Sequence, residues 1–266
     1  MTRRKLGIVF IAVLTSAIGC KQESATQPAA DTPRLLLFCG AGLQLPVAEL
    51  VETFNREQSC IIEADYAGSE VLFSRITIRN QGDLYMPGEQ SYLDLAVEKD
   101  MIESSAVVCY FVPVILVGKG NPKNIATLSD LTRPGVRLGL GDERACAIGQ
   151  HCKRIFAKND IPWADVEKNL AFKSMTVNEL GIQIQTGALD AVIVWDAVAV
   201  QYLKHGEIVT IPPERNIVSS VPIGVLTFSE HKELARQFIA FARSPAGRDI
   251  FQKHNYRVDP PVENQP

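Results

Sequence analysis

The sequence contains no H-E-x-x-H, no G-x-S-x-G and no P-loop, and its four histidines, His151, His205, His231 and His254, are scattered. No nucleophile–base pair is signalled, so an enzyme is not expected. There is no C-x-x-C, which leaves a zinc site or dithiol redox centre without support. No stretch concentrates Lys and Arg, and the formal net charge is −3. Nucleic-acid binding needs a basic stripe to replace counterions and is therefore not expected. A mildly acidic surface leaves room for a small anionic ligand, because backbone dipoles bind anions without net charge. What is present is an ordinary globular mixture: 266 residues, 46% hydrophobic and 21% charged. A chain of that length buries roughly 75% of its unfolded surface and folds without a metal or disulfide staple.

Residues 1–20 read as a targeting segment. Arg3, Arg4 and Lys5 form a positive region, Leu6 to Leu14 an apolar one, and small residues lead to Ala17-Ile18-Gly19-Cys20. The apolar run falls short of the about 20 residues that span a bilayer. This end resembles the lipobox of bacterial lipoproteins, with Ala17 in place of the more usual Leu. The resemblance implies that Cys20 is acylated and heads the mature chain. Residues 21–33 (KQESATQPAADTP) are polar and lack an apolar period, as expected of a solvated tether. Five cysteines remain, an odd number. Cys39, Cys60 and Cys109 sit in or beside apolar runs as small buried hydrophobes, and Cys146 and Cys152 are left either free or bridged.

From Arg34 onward, short β-rich runs alternate with helical periods, the α/β pattern. RLLLFC, CIIEADY, a short strand at residues 83–86 and SVPIGVLTF read as strands of one sheet; residues 137–140, 173–175 and 208–211 and AVIVW read as strands of another. The long run VVCYFVPVILVG is broken by Pro113, where the strand is expected to leave one sheet for the other. The expected organisation is a first lobe of residues 34–112 plus 221–258, an inserted second lobe of residues 113–220, and a tail of residues 259–266. Ligand clefts in such assemblies lie between lobes, at the carboxyl ends of strands.

Four strand-to-helix turns are rich in small residues: Cys39-Gly40-Ala41-Gly42, Ala67-Gly68-Ser69, Ala145-Cys146-Ala147-Ile148-Gly149 and Met175-Thr176-Val177-Asn178. A helix start leaves unpaired N–H groups and about half a positive charge, so several aimed into one cleft would hold an oxyanion. The segments LLLFCGAGL, DYAGSEVLFSRI, GDLYMPGEQSYLDLA, LTRPGVRLGLGDERACAIG, TVNELGIQIQTGALDAVIVWDAVA and SPAGRDIFQKHNY resemble, in order and spacing, the molybdate- and tungstate-binding extracytoplasmic proteins of ABC importers. The likeness runs from about Arg34 to Val258. It implies the two-lobed type II periplasmic-binding-protein fold, α/β with mixed sheets flanked by helices and two hinge strands.

By that resemblance Ala41, Gly42, Gly68, Ser69, Ala147, Ile148, Val177, Asn178 and Trp195 surround the oxyanion. Gly42 stands where the family commonly has a serine, and Trp195 where some members have a tyrosine. Glu70, Glu143, Glu179 and Asp196 lie at or beside the ligand loops, as helix-start charges and hinge ion pairs or as ligand contacts. Some archaeal relatives coordinate the oxyanion's metal with carboxylates, which makes Glu179 and Asp196 the candidate metal contacts. His151, in the helix after Ala147-Ile148, is expected to be solvated or capping. The resemblance implies a monomeric receptor with molybdate or tungstate as ligand, no cofactor, a membrane permease as partner, and membrane contact through the lipid anchor alone. The same fold could instead receive a metal cation, another oxyanion or a small organic acid. Cys20→Ala is expected to release the protein from membranes in a carbonate wash with ligand affinity unchanged, because residues 21–33 separate anchor from body; a variant that stays membrane-bound refutes the lipid anchor.

Overall fold

The computed structural model describes residues 32–261. The expected leader, the acylation of Cys20, most of the tether and residues 262–266 of the tail lie outside the described residues. Within them the strands form two five-stranded sheets. The first contains β1 (Arg34–Gly40), β2 (Ile61–Ala67), β3 (Leu84–Met86), β4 (Ile102–Phe111) and β10 (Ser219–Leu226), in the order β2-β1-β3-β10-β4. The second contains β5 (Pro113–Gly118), β6 (Leu138–Gly141), β7 (Leu170–Ser174), β8 (Ala191–Trp195) and β9 (Gly206–Thr210), in the order β7-β6-β8-β5-β9. In both sheets parallel pairs, β1 with β2 and β3, β6 with β7 and β8, stand beside antiparallel ones. Parallel neighbours need crossover connections, which the helices supply. They are α1 (Gln44–Gln58), α2 (Ser69–Arg79), α3 (Gln90–Glu98), α4 (Ala147–Lys158), α5 (Trp163–Glu167), α6 (Val177–Gln185), α7 (Asp196–Val200), α8 (Lys232–Arg243) and α9 (Pro245–Lys253).

The apolar spacing explains which faces are buried. AVIVW is buried at every residue because β8 is the central strand of its sheet, covered on both faces. In α1, Val47, Leu50 and Phe54 recur at helical spacing and point inward. Ala235, Phe238, Ile239 and Ala242 do the same in α8. The two helices meet where the Phe54 ring stands edge-on to Phe238, with centroids 5.2 Å apart, and tilts against Phe241 at 5.7 Å.

The chain crosses between sheets twice. The first crossing is Val112, between β4 and β5, where the sequence places the break at Pro113. The second is the segment between β9 and β10. The crossings lie side by side: Ser219 pairs with Phe111, and Asn216 Nδ2 donates to the Pro113 carbonyl at 2.9 Å. The five cysteines among the described residues are free thiols, all buried, so the possible Cys146–Cys152 bridge is not formed. Burial pushes the Cys146 thiol up to about 12, and its Sγ donates to the Ser174 carbonyl at 3.6 Å. Truncating the ring that joins α1 to α8, Phe54→Ala, should cost about 3–5 kcal/mol by chemical denaturation; a loss below about 1 kcal/mol would show that this contact is peripheral.

Candidate functional site

Strands β1, β2, β6, β7 and β8 end at Gly40, Ala67, Gly141, Ser174 and Trp195; the turns directly after β1, β2 and β7 line one interlobe cleft, the loop after β6 reaches it at Cys146, and β8 reaches it through Trp195 itself. That cleft encloses about 300 Å³ of empty space, part of it open to solvent. From the first lobe it is lined by Gly40 to Leu43, Ala67 to Ser69, Gly88 and Phe111. Cys146 to Ile148, Thr176, Val177 and Trp195 line it from the second. None of these residues carries a charge.

Three helices begin there. Gly68 precedes α2, Cys146 precedes α4 and Thr176 precedes α6, and none of the three makes a side-chain cap hydrogen bond. An uncapped helix start presents N–H groups with no i−4 carbonyl and the positive end of the helix dipole. The cleft is therefore electropositive through its backbone. Ser69 is buried, and its Oγ accepts from the Gly88 N–H at 3.0 Å, which leaves the hydroxyl proton to donate. Phe111 and Trp195, each the last residue of its strand, stack with centroids 4.8 Å apart and planes 4° from parallel.

Two glycines set how closely the lobes meet. A Cβ on Gly68 would lie 2.3 Å from the Ala145 carbonyl oxygen and 2.6 Å from that of Met175, both backbone of the second lobe. The adjacent Glu70 N–H donates to the Ala145 carbonyl at 3.2 Å. At Gly42 a Cβ would lie 2.8 Å from Val177 Cγ1 and 3.4 Å from Trp195 Cδ1. The space a first-turn serine would need is occupied by the Val177 and Trp195 side chains reaching across.

Of the residues singled out in the sequence, Ala41, Gly42, Gly68, Ser69, Ala147, Ile148, Val177 and Trp195 line the cleft. Asn178 stands beside it: its Nδ2 donates to the Ala41 carbonyl at 3.1 Å, tying α6 to the first lobe, while its Oδ1 is buried without a partner. Neither candidate metal contact is in the cleft lining. Glu179 braces the turn before its own helix, its Oε2 accepting from Ser174 Oγ at 2.6 Å and from the Met175 N–H at 3.0 Å. Asp196 clamps the hinge. Its Oδ1 accepts from the N–H groups of Val112 at 3.1 Å and Ala197 at 3.0 Å, and its Oδ2 pairs with Arg257 Nε at 2.8 Å. Both carboxylates are consumed by the fold, and the described residues contain no group of three or more His, Cys, Asp or Glu side chains placed to hold a metal ion.

Glu143 lies between Lys153 at 3.1 Å and Lys173 at 3.3 Å. Burial pushes its carboxyl up, but hydrogen bonds from its own backbone and the two lysines prevail and bring it down to about 2. His151 is neither solvated nor a cap. It is 1% exposed, stands edge-on to Trp195 at 5.2 Å and bonds through Nε2 to the Ile217 carbonyl at 2.5 Å, because the inner face of α4 meets the segment returning to β10.

Several lining residues escaped the sequence reading. Gly88 follows the three-residue strand β3, and Met86-Pro87-Gly88 is a strand-to-helix turn like the four singled out, so its pattern was available. Phe111 reads as core from sequence, and only the hinge brings it to the cleft.

These features define a class: a two-lobed α/β protein with a small, uncharged interlobe cleft fed by helix amino termini. Comparison with known proteins agrees. Residues 35–257 match the bacterial extracellular solute-binding protein family, and the chain belongs to it. It is 25% identical over 256 residues to the molybdate-binding protein ModA of Mycobacterium bovis, covering 94% of this chain and 96% of that one. Among solved structures, the sulfate-binding protein SubI of Mycobacterium tuberculosis matches with a TM-score of 0.75 at 18% identity, over 86% of this chain and 88% of that one. The periplasmic molybdate-binding protein of Azotobacter vinelandii matches with a TM-score of 0.72 at 12% identity, over 85% and 100%. The periplasmic-binding-protein fold and the solute-binding, extracytoplasmic character of the chain follow.

Gly68→Ala tests the close approach. Its backbone, φ −65° and ψ 148°, accepts an alanine, so the unliganded melting temperature should hold. Closure against two carbonyl oxygens should not, and ligand affinity should fall by about 1–3 kcal/mol, the usual cost of overpacking. Unchanged affinity in a calorimetric titration would mean that the cleft binds without closing at this seam.

Proposed function

We propose that the chain is the extracytoplasmic receptor of an ABC importer and binds a tetrahedral oxyanion, molybdate or tungstate, for delivery to a membrane permease. The observation that carries this reading is the convergence of three uncapped helix starts on a cleft lined by no charged residue. Donors of that kind suit an anion, because N–H groups supply hydrogen bonds and partial positive charge at once. They suit a cation badly, since a cation needs oxygen or nitrogen lone pairs and the nearby carboxylates are occupied. A ModA relative covering nearly all of the chain supports molybdate among the oxyanions. Closure of the lobes over the anion would mark the loaded state for the permease. The same reading includes acylation of Cys20 as the attachment to the membrane and a monomeric body.

The rival reading with an observation behind it is sulfate, since SubI has the same fold and sulfate the same tetrahedral shape. Calorimetric titration with molybdate, tungstate, sulfate and divalent cations separates the two. Molybdate or tungstate should bind well ahead of sulfate, and divalent cations should not bind; the reverse order refutes the assignment. If the anion sits on the α2 start, Ser69→Ala should weaken it by about 0.5–3 kcal/mol, the span of neutral and charge-assisted hydrogen bonds. Ser244 caps α9 through the Gly247 N–H, outside the cleft lining. Ser244→Ala should cost about 1 kcal/mol of stability and leave affinity unchanged. Equal affinity losses from both would place the anion elsewhere.

A further inference from the structure

Gly88 lines the cleft, and the residue after it, Glu89, is a carboxylate only 5% exposed. It belongs to the first lobe, at the start of α3. Its Oε1 accepts from the Arg154 guanidinium and lies 3.4 Å from His151 Nδ1. Its Oε2 is buried with no hydrogen-bond partner. Arg154 and His151 belong to the second lobe, on α4, whose first residues Ala147 and Ile148 line the cleft. The partner of His151 Nε2 is a carbonyl, which only accepts, so Nε2 carries the proton. Nδ1 is then a lone pair, and it accepts from Arg154 Nη2 at 2.7 Å. The guanidinium thus serves an acceptor on each lobe. Burial lowers the imidazole's proton affinity, in keeping with this neutral form.

The energetics of such a contact are asymmetric. Glu89 is buried while the Arg154 side chain stays 46% exposed, so the cost falls on one partner: a buried carboxylate stripped of its cation is strongly disfavoured. Arg154 is the one cation bonded to Glu89 among the described residues, and it lies on the opposite lobe. When the lobes part, both groups can hydrate; when they meet, the carboxylate can enter its buried site only if Arg154 is there to receive it. The geometry points to Glu89, Arg154 and His151 as an interlobe latch: positioning residues that fix the register and population of the closed cleft without lining it. This rests on the reading of the cleft as one that closes, and not on which oxyanion enters it.

The test measures closure with no ligand added. An ideal Cβ on Gly88 lies 3.5 Å from Ala147 Cβ, within the about 3.5–4.5 Å that a disulfide requires. Gly88→Cys with Ala147→Cys therefore traps the closed form under a mild oxidant, with the bond located by peptide mapping. Adding Arg154→Met or Glu89→Gln should slow trapping, by about tenfold or more for Arg154→Met, which leaves a buried carboxylate unpaired. The double change Glu89→Gln with Arg154→Met should trap faster than Arg154→Met alone, since the uncompensated charge is gone. Lys168→Met, which removes an exposed pair with Asp165 on the second lobe, should trap at the parental rate. Unliganded melting temperatures serve as the folding check, and Glu89→Gln keeps the test alive if Arg154→Met folds poorly. Parental trapping rates in both single variants, effects that simply multiply in the double, or equal slowing by Lys168→Met would each overturn the latch. No oxyanion is present, so this outcome and that of the ligand titration are read independently.

Discussion

The structure depends on helix starts that are left unfinished. Cys146 and Thr176 stand where a side-chain oxygen or sulfur could satisfy the first N–H groups of α4 and α6, yet neither makes that bond, and Gly68 has no side chain to offer α2. The omission forgoes roughly 0.5–2 kcal/mol of helix stability at α4 and α6, and a few tenths at α2, where glycine is itself a fair N-cap. On the proposed function, a fold that forgoes it three times around one cleft keeps donors there for an anion, apart from the Glu70 N–H that already bonds across to Ala145. The same requirement orders the rest: strands must end together for the helices to start together, and small residues must follow so that a ligand can approach the backbone.

Disposal of negative charge follows from that demand. The chain is acidic overall and carries carboxylates on or next to its cleft loops, any of which would repel an anion if left loose. Each of three is instead absorbed by a neighbouring element: Glu143 by two lysines, Glu179 by the turn before its own helix, Asp196 by the hinge backbone and Arg257. The acids therefore steady the loops that surround the cleft. Net charge says little about such a ligand; where the charges are spent says more.

The sheets, the sheet change near Pro113 and most of the cleft were legible in the amino-acid sequence because they rest on local signals. Apolar runs such as AVIVW and small residues at strand ends are of that kind. What was not legible depends on contacts between distant segments. Asp196 follows an apolar strand and reads as a group emerging at the cleft, but its partners, Val112 and Arg257, lie 84 and 61 residues away. His151 reads as a surface residue of α4 because nothing nearby in sequence announces that Ile217 and Trp195 will cover it. Gly42 reads as a lost hydroxyl until Val177 and Trp195 are seen filling its place. Short α5 and α7 went unread as well, each of five residues and too brief to establish a helical period.

The two chain crossings are paired neighbours, with Ser219 beside Phe111 and Asn216 bonded to Pro113. Separated crossings would let the two bodies shear, roll and twist independently. Crossings bound edge to edge act as one pin and leave a single angular coordinate between the lobes. If the lobes open and close along that coordinate, the spacing of two distant surface points would be enough to report whether the cleft is filled.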